Sequence, residues 1–457
     1  MHSEKKKNRF EIDMCNGTIM DKLISFSLPL MLSGILQLMF NAVDIIVIGR
    51  FSGSQSLAAV GSTTALINMF TNLFIGISLG ANVLSARFYA AGKDKEMSET
   101  VHTAITLALI SGIIMVFVGL IFAKPVLELM DTPDDVINLS TLYMRIYFMG
   151  MPFFMLYNYG ASILRAVGDT KRPLFYLIVA GIANAGLNMC LVIIFHLGVA
   201  GVAIGTVISQ LISSILVLRC LYRSETSYQL RFSKLKIQKE YLKQIFQVGI
   251  PAGIQSTVIN FSNVLLQSSV NSFGSIAMAG YTAANNIFGF LYVTVNAVTQ
   301  ACMSFTSQNY GVGKWKRMDR VLIDCLILSF VAMMILGNSA YFFGPKLLTI
   351  YTSNSKVIQC GMEILLYTTV TYFLCGFMDL FPGALRGMGR SGVPMILSII
   401  GTVGTRIVWI FWIFPNHRSL DILFISYPAS WIITIVLQVI CYYFVRKQLY
   451  AKMRAEA

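Results

Sequence analysis

The chain has 457 residues, of which 56% are hydrophobic and only 12% charged, about half the charged share of a soluble globular protein. So little charge cannot cover a soluble surface of this size, and a mean hydropathy of +0.69 points to the bilayer as solvent. A soluble enzyme, a secreted domain and a disordered regulator are thereby excluded, and the net charge of +14 is too dispersed to mark a nucleic-acid partner.

Stretch 1–9 is polar and basic, and the apolar run behind it is too long for a signal peptide; it reads as a first transmembrane helix that stays. Apolar windows between turn signals predict twelve spans, over 22–49, 57–85, 101–123, 141–163, 174–195, 199–221, 245–271, 280–306, 320–343, 362–384, 393–414 and 423–445. With the N-terminus inside, the cytoplasmic connections hold 28 of the 35 Lys and Arg residues. Six fall outside, and the last, Arg406, lies within span 11. By the positive-inside rule both termini and the loop 221–244 are cytoplasmic, in a multi-pass protein of a prokaryotic inner membrane.

The chain is also a duplication. Sliding it by 221 or 222 positions lays Pro29 on Pro251, Asn41 on Asn263, Leu164-Arg165-x-x-Gly168 on Leu385-Arg386-x-x-Gly389, and Pro173 on Pro394. Six spans per half make the repeats parallel, related by an axis along the membrane normal. The expected organisation is an N-terminal six-helix lobe over 1–220, a loop over 221–244 and a C-terminal six-helix lobe over 245–457. That is a transporter architecture, with a substrate cavity expected between the lobes.

No chemistry of a resident cofactor shows. The eight cysteines form no CxxC, the four histidines are scattered, and no phosphate-binding G-x-x-x-x-G-K-[ST] loop is present. Ionisable side chains in a bilayer cost roughly 2.5–3.5 kcal/mol each on insertion scales and need a reason. Three lie well inside spans: Asp44 in span 1, Asp379 in span 10 and Arg406 in span 11. Asp324, near the inner end of span 9, is expected to be wetted there.

Asp44 stands ~10–13 Å below the outer end of span 1. Asn184 and Asn188 share one face of span 5 at ~16 and ~22 Å from its inner start, and Thr206 is ~12 Å down span 6. All four fall in the outer half of the N-terminal lobe. One carboxylate, two amides and a hydroxyl suit a proton or a monovalent cation, and the competing reading is a hydrogen-bonded structural carboxyl. Asp379 and Arg406 lie ~10 and ~18 Å from the inner ends of their spans, close enough for an ion pair within the C-terminal lobe; the alternative is a carboxylate that answers to substrate or ion. The small-x-x-x-small pairs Gly76/Gly80, Gly201/Gly205, Gly249/Gly253 and Gly383/Gly387 are read as sites of close helix packing.

Several motifs together resemble the multidrug and toxic compound extrusion (MATE) transporters over nearly the whole chain. They are Leu28-Pro29 with Gln37, Asn41-Ala-Val-Asp44 and Ser56-Leu-Ala-Ala59; Leu164-Arg165-Ala-Val-Gly168; and Asn184-x-x-x-Asn188 followed by Gly201-Val-Ala-Ile-Gly205-Thr206. In the second half they are Gly249-Ile-Pro251, Gln308-Asn-Tyr-Gly311 and Leu385-Arg386-Gly-Met-Gly389. The resemblance implies a V-shaped pair of bundles exporting organic cations by antiport with Na+ or H+. In the prokaryotic branch with a span-1 acid, that acid matches Asp44, the span-5 Asn matches Asn184 and the span-6 Thr matches Thr206. The branch's second span-5 acid matches Asn188, a departure that removes one carboxylate. The span-7 acid of another branch falls near Ile259, and its span-10 acid falls near Cys375, one turn from Asp379. Gln37 and Asn41 join Asp379 and Arg406 as candidate substrate or charge contacts.

The expected activity is thus efflux of small organic cations by a protein that is not an enzyme and works as a monomer among membrane lipids. It needs no cofactor beyond a coupling Na+ or H+, and no metal beyond Na+ at Asp44. Two alternatives remain. A flippase or exporter of lipid-linked or polysaccharide substrates would want several cavity Arg/Lys, where only Arg406 lies inside a span. A membrane-embedded transferase would want an acidic diphosphate-binding motif, where Asp134-Asp135 is the only adjacent acid pair.

Overall fold

The computed structural model describes residues 10–130 and 132–456; the basic stretch 1–9 lies outside them. Their regular structure is all helical, with no strand among them. Unbroken helices are α1 (Met20–Phe51), α2 (Gly53–Ala90), α3 (Asp94–Leu129), then α4 (Asp134–Met149), α5 (Met151–Ala166), α6 (Lys171–Met189) and α7 (Gly198–Tyr222). The second half contributes α8 (Lys239–Asn271), α9 (Ser275–Gly311), α10 (Trp315–Phe342), α11 (Gly344–Thr349), α12 (Ser355–Thr369) and α13 (Tyr372–Gly387). It ends with α14 (Gly392–Ser398), α15 (Thr405–Val408) and α16 (Leu420–Glu456).

Among the described residues nine helical stretches are long and apolar enough to cross a membrane, or ten when the bent pair α12–α13 is counted. The α4–α5 segment and α8 are more polar and complete the twelve. Apolar side chains face outward in bands no water-soluble helix tolerates: on α3, Phe117 is 59% exposed and Ile121 60%.

Spans 4 and 10 are not the continuous helices that hydropathy suggests. Span 4 breaks at Gly150, because Pro152 has no N–H to continue the ladder. Span 10 breaks between Thr369 and Tyr372 with a 44° bend. There the Thr368, Thr369 and Thr371 hydroxyls donate back to the carbonyls of Ile364, Leu365 and Tyr367 at 2.6–2.7 Å, a pattern that bends helices. The two breaks occupy matching places in the repeat. So do the ends of α5 and α13. There Gly168 (φ 98°) and Gly389 (φ 81°) take the left-handed conformation that side chains resist, and the following N–H reaches back to the carbonyl of Leu164 or Leu385 at 2.9 Å.

Packing divides the chain into two units. One takes residues up to Met14 together with Leu28–Gly253, and the other takes Cys15–Ser27 and the chain from Ile254 on. In the first unit, Met97, Ile105, Phe148 and Tyr159 are fully or almost fully buried in the core. The paired small residues meet each other there: a side-chain carbon at Gly76 would overlap Gly253, and one at Gly80 would overlap the Ile245 carbonyl. Helices α2 and α8 thus cross backbone to backbone. In the second unit the core is aromatic, built on Tyr281, Phe424, Tyr427 and Trp431.

Candidate functional site

In the first unit α1, α6 and α7 bring a carboxylate, two amides and a hydroxyl together. Phe40 of α1 fills a notch that Gly181 leaves open on α6; any side chain at 181 would overlap its ring. That contact fixes the register of the two helices. One turn beyond Phe40 stands Asp44, and beyond Gly181, one and two turns along α6, stand Asn184 and Asn188 (3.6 residues per turn). Asp44, Asn184 and Asn188 are all buried. Thr206, half-buried, comes from α7.

Asn188 Nδ2 donates to Asp44 Oδ1 at 2.5 Å and to Asn184 Oδ1 at 3.2 Å. Asn184 Nδ2 donates to Thr206 Oγ1 at 3.4 Å. The Thr206 hydroxyl lies 3.5 Å from Asp44 Oδ2 and donates to the Val202 carbonyl at 3.0 Å. All four predicted residues therefore form one network. None of the ion pairs among the described residues involves Asp44, so its carboxylate has only neutral partners. Asn188 Oδ1 is buried with no hydrogen-bond partner.

Two contributors escape sequence reasoning. Gly205 looks like half of a packing pair, yet a side chain there would overlap Asn188 Oδ1; its absence is what lets the amide lie against α7. Tyr143 and Tyr147 of α4, with ring centroids 6.0 Å apart, lie within the electrostatic reach of Asp44. Their i, i+4 spacing marks one helix face but does not say which neighbour it meets. Gln37 and Asn41 are exposed on α1 and make no hydrogen bond among the described residues, so the structure does not join them to this network.

The second unit does not contain the expected ion pair between Asp379 and Arg406. Arg406 is 3% exposed. Its Nη1 donates to Ser262 Oγ at 3.1 Å and to Asn263 Oδ1 at 2.7 Å, and its Nε donates to Ser430 Oγ at 3.4 Å. Its guanidinium lies 4.6 Å from the Tyr427 ring centroid. Asp379, half-buried on α13, pairs with no cation among the described residues; the arginine whose field reaches it is Arg386. Similar depth in two helices did not mean facing sides. Asp324, too, is buried at 4% exposure rather than wetted, and its Oδ1 accepts from Arg320 Nε at 2.9 Å.

A duplicated, multi-pass, all-helical chain of this length has the architecture of a membrane transporter, and it carries a buried carboxylate held by neutral groups. The MatE family model matches residues 29–190 and again 251–412, so its two matches start and end 222 positions apart, on the repeat. The chain belongs to the MatE family. It is 30% identical over 434 residues to the probable multidrug resistance protein YoeA of Bacillus subtilis, covering 93% of each chain. To the multidrug export protein MepA of Staphylococcus aureus it is 23% identical over 380 residues, 83% of this chain and 84% of that one. Its fold matches an outward-facing multidrug resistance MATE transporter with a TM-score of 0.89 at 20% identity, over 98% of this chain and 100% of the other. A MATE crystal structure in the bent conformation matches with a TM-score of 0.86 at 20% identity, over 95% and 96% of the two chains.

Proposed function

We propose that this chain is a secondary active antiporter that exports organic cations and similar drug-like molecules in exchange for Na+ or H+, with Asp44 as the coupling carboxylate. The observation that carries the reading is a buried acid held only by neutral groups beside a buried amide oxygen with no partner. A lone negative charge in an apolar site is unstable unless something neutralises it. One proton on Asp44 does so without moving any neighbour. Na+ does so if the Asn188 amide turns over, presenting its unpartnered oxygen beside those of Asp44, Asn184 and Thr206 as hard ligands. The relatives named for multidrug resistance and export support the substrate class. The acid in the first helix favours the branch of the family that couples through that helix.

In this reading 1–220 and 245–457 act as lobes joined by 221–244, and both termini and that loop face the cytoplasm of a prokaryotic cell. Ion and drug act against each other: each weakens binding of the other by the same factor, as linkage requires. Ethidium efflux from proteoliposomes, with Na+ and pH varied independently, tests it. Uphill efflux driven by an imposed gradient of one of the two ions is expected, and no uphill efflux under either gradient would overturn it.

A further inference from the structure

Shifted along the repeat, the Asp44 region overlaps a second buried polar cluster of opposite sign: of the network residues, Asn184 and Thr206 fall on members of that cluster, while Asn188 falls on Ile410. Asn41 falls on Asn263, Asn184 on Arg406 and Asp44 on Leu266 at an offset of 222, and Thr206 falls on Tyr427 at 221. The second unit has thus lost the acid and gained a guanidinium in the same part of the scaffold. Arg406 sits on α15, a short α-helical stretch between π-helical turns at Ile399–Gly404 and Trp409–Ile413. Such turns are frequent at functional sites.

The cluster is built but not neutral. Every acceptor of Arg406 is uncharged: Ser262 Oγ, Asn263 Oδ1, Ser430 Oγ and the Tyr427 ring face. Its Nη2 donates to no described residue, and neither does Asn263 Nδ2. No ion pair among the described residues includes Arg406. Behind Tyr427 the packing is aromatic, with Tyr281 Oη 3.0 Å from Tyr427 Oη and Trp431 edge-on to Tyr427 at 5.8 Å. A cation–π contact and neutral hydrogen bonds orient a guanidinium but leave its charge in place. A buried arginine ordinarily meets a carboxylate or phosphate, and none of the described residues supplies a carboxylate to it.

We propose that the Arg406 cluster is a binding site for one small monovalent anion, either a halide ion or the carboxylate of an organic molecule. The Arg406 Nη2 and Asn263 Nδ2 groups are its donors. Ser262 and Ser430 hold the guanidinium in place, and Tyr427, itself packed on Tyr281 and Trp431, covers its face. This inference goes beyond antiport and stands apart from the Asp44 reading, because its readout is binding rather than transport.

The test is thermal unfolding of the purified full chain in detergent at constant ionic strength, with the bulky sulfonate isethionate replaced stepwise by chloride or by benzoate. A ligand that binds only the folded state raises the unfolding temperature saturably. A saturable rise of a few degrees in chloride assigns the site to halide, and a rise confined to benzoate assigns it to a carboxylate. Either rise must vanish in Arg406→Gln. If that variant does not fold, Asn263→Asp retains the guanidinium and places a carboxylate against it, so the response must vanish there too. Equal unfolding temperatures in all three salts would overturn the proposal, as would a rise that survives Asn263→Asp.

Discussion

Replacing Gly205 by Ala isolates the Asp44 network from the packing around it. The new methyl overlaps Asn188 Oδ1, and the amide must retreat by about 1 Å to reach van der Waals distance. The same amide holds the 2.5 Å bond from Asn188 Nδ2 to Asp44 Oδ1 and the 3.2 Å bond to Asn184 Oδ1, so displacing it is expected to lengthen or reorient both. A hydrogen bond to a charged group contributes about 1.5–3 kcal/mol, equivalent to a 10- to 150-fold change, roughly, in an equilibrium constant. Alanine is otherwise the better helix former by ~1 kcal/mol, so the variant should fold. Gly186→Ala is the control, since a side chain at 186 meets nothing within 4 Å. The measurement is the half-saturating concentration of the driving cation for ethidium efflux in proteoliposomes. Gly205→Ala should shift it at least about tenfold, while Gly186→Ala leaves it unchanged. An unshifted value in well-folded Gly205→Ala would mean that Asn188 does not govern the carboxylate.

Asp44→Asn keeps the shape of the neutral acid, so it should fold and bind drug yet fail to pump uphill in proteoliposomes; uphill pumping by this variant would refute the coupling role. Because Arg406 bonds to Ser262, Asn263 and Ser430 rather than to Asp379, Asp379→Asn and Arg406→Gln should add in thermal unfolding to within ~0.5 kcal/mol. Rescue of either by the other would restore the ion pair. Gly80→Leu drives a side chain into the Ile245 carbonyl and should destabilise by ~1–3 kcal/mol or more; an unchanged unfolding temperature would contradict the close crossing of α2 and α8. Ser227→Cys, in the loop after α7, should resist membrane-impermeant maleimide applied to intact cells, and labelling from outside would invert the topology.

The spans were legible because apolar length is a one-dimensional signal, and most of every predicted span is helical. The breaks at Gly150 and between Thr369 and Tyr372 were not, because hydropathy is indifferent to a missing N–H or to a threonine bonding its own turn. The Asp44 cluster was legible for a different reason. Few polar groups survive in a span, so helical spacing and depth suffice to pair them when the helices are neighbours. The same depth argument failed for Asp379 and Arg406, since depth carries no information about which way round a helix faces. Gly205 does lie at a close helix contact, but the sequence does not tell a glycine that admits a neighbouring backbone from one that admits a buried amide. Only the position of Asn188 separates them.

Duplication also explains why the two halves can hold opposite charges in one scaffold. Amides and hydroxyls are both donors and acceptors, so a cradle made of them accommodates either sign by rotation alone. Asn188 turns its Nδ2 toward the Asp44 carboxylate, while Asn263 turns its Oδ1 toward the Arg406 guanidinium. Thr206 and Tyr427, at matching repeat positions, serve the same ends with a hydroxyl beside the acid and a ring face beside the cation. Neither Asp44 nor Arg406 has a charged partner among the described residues, so in both halves the buried charge is met by hydroxyls, amides and, at Arg406, a ring face.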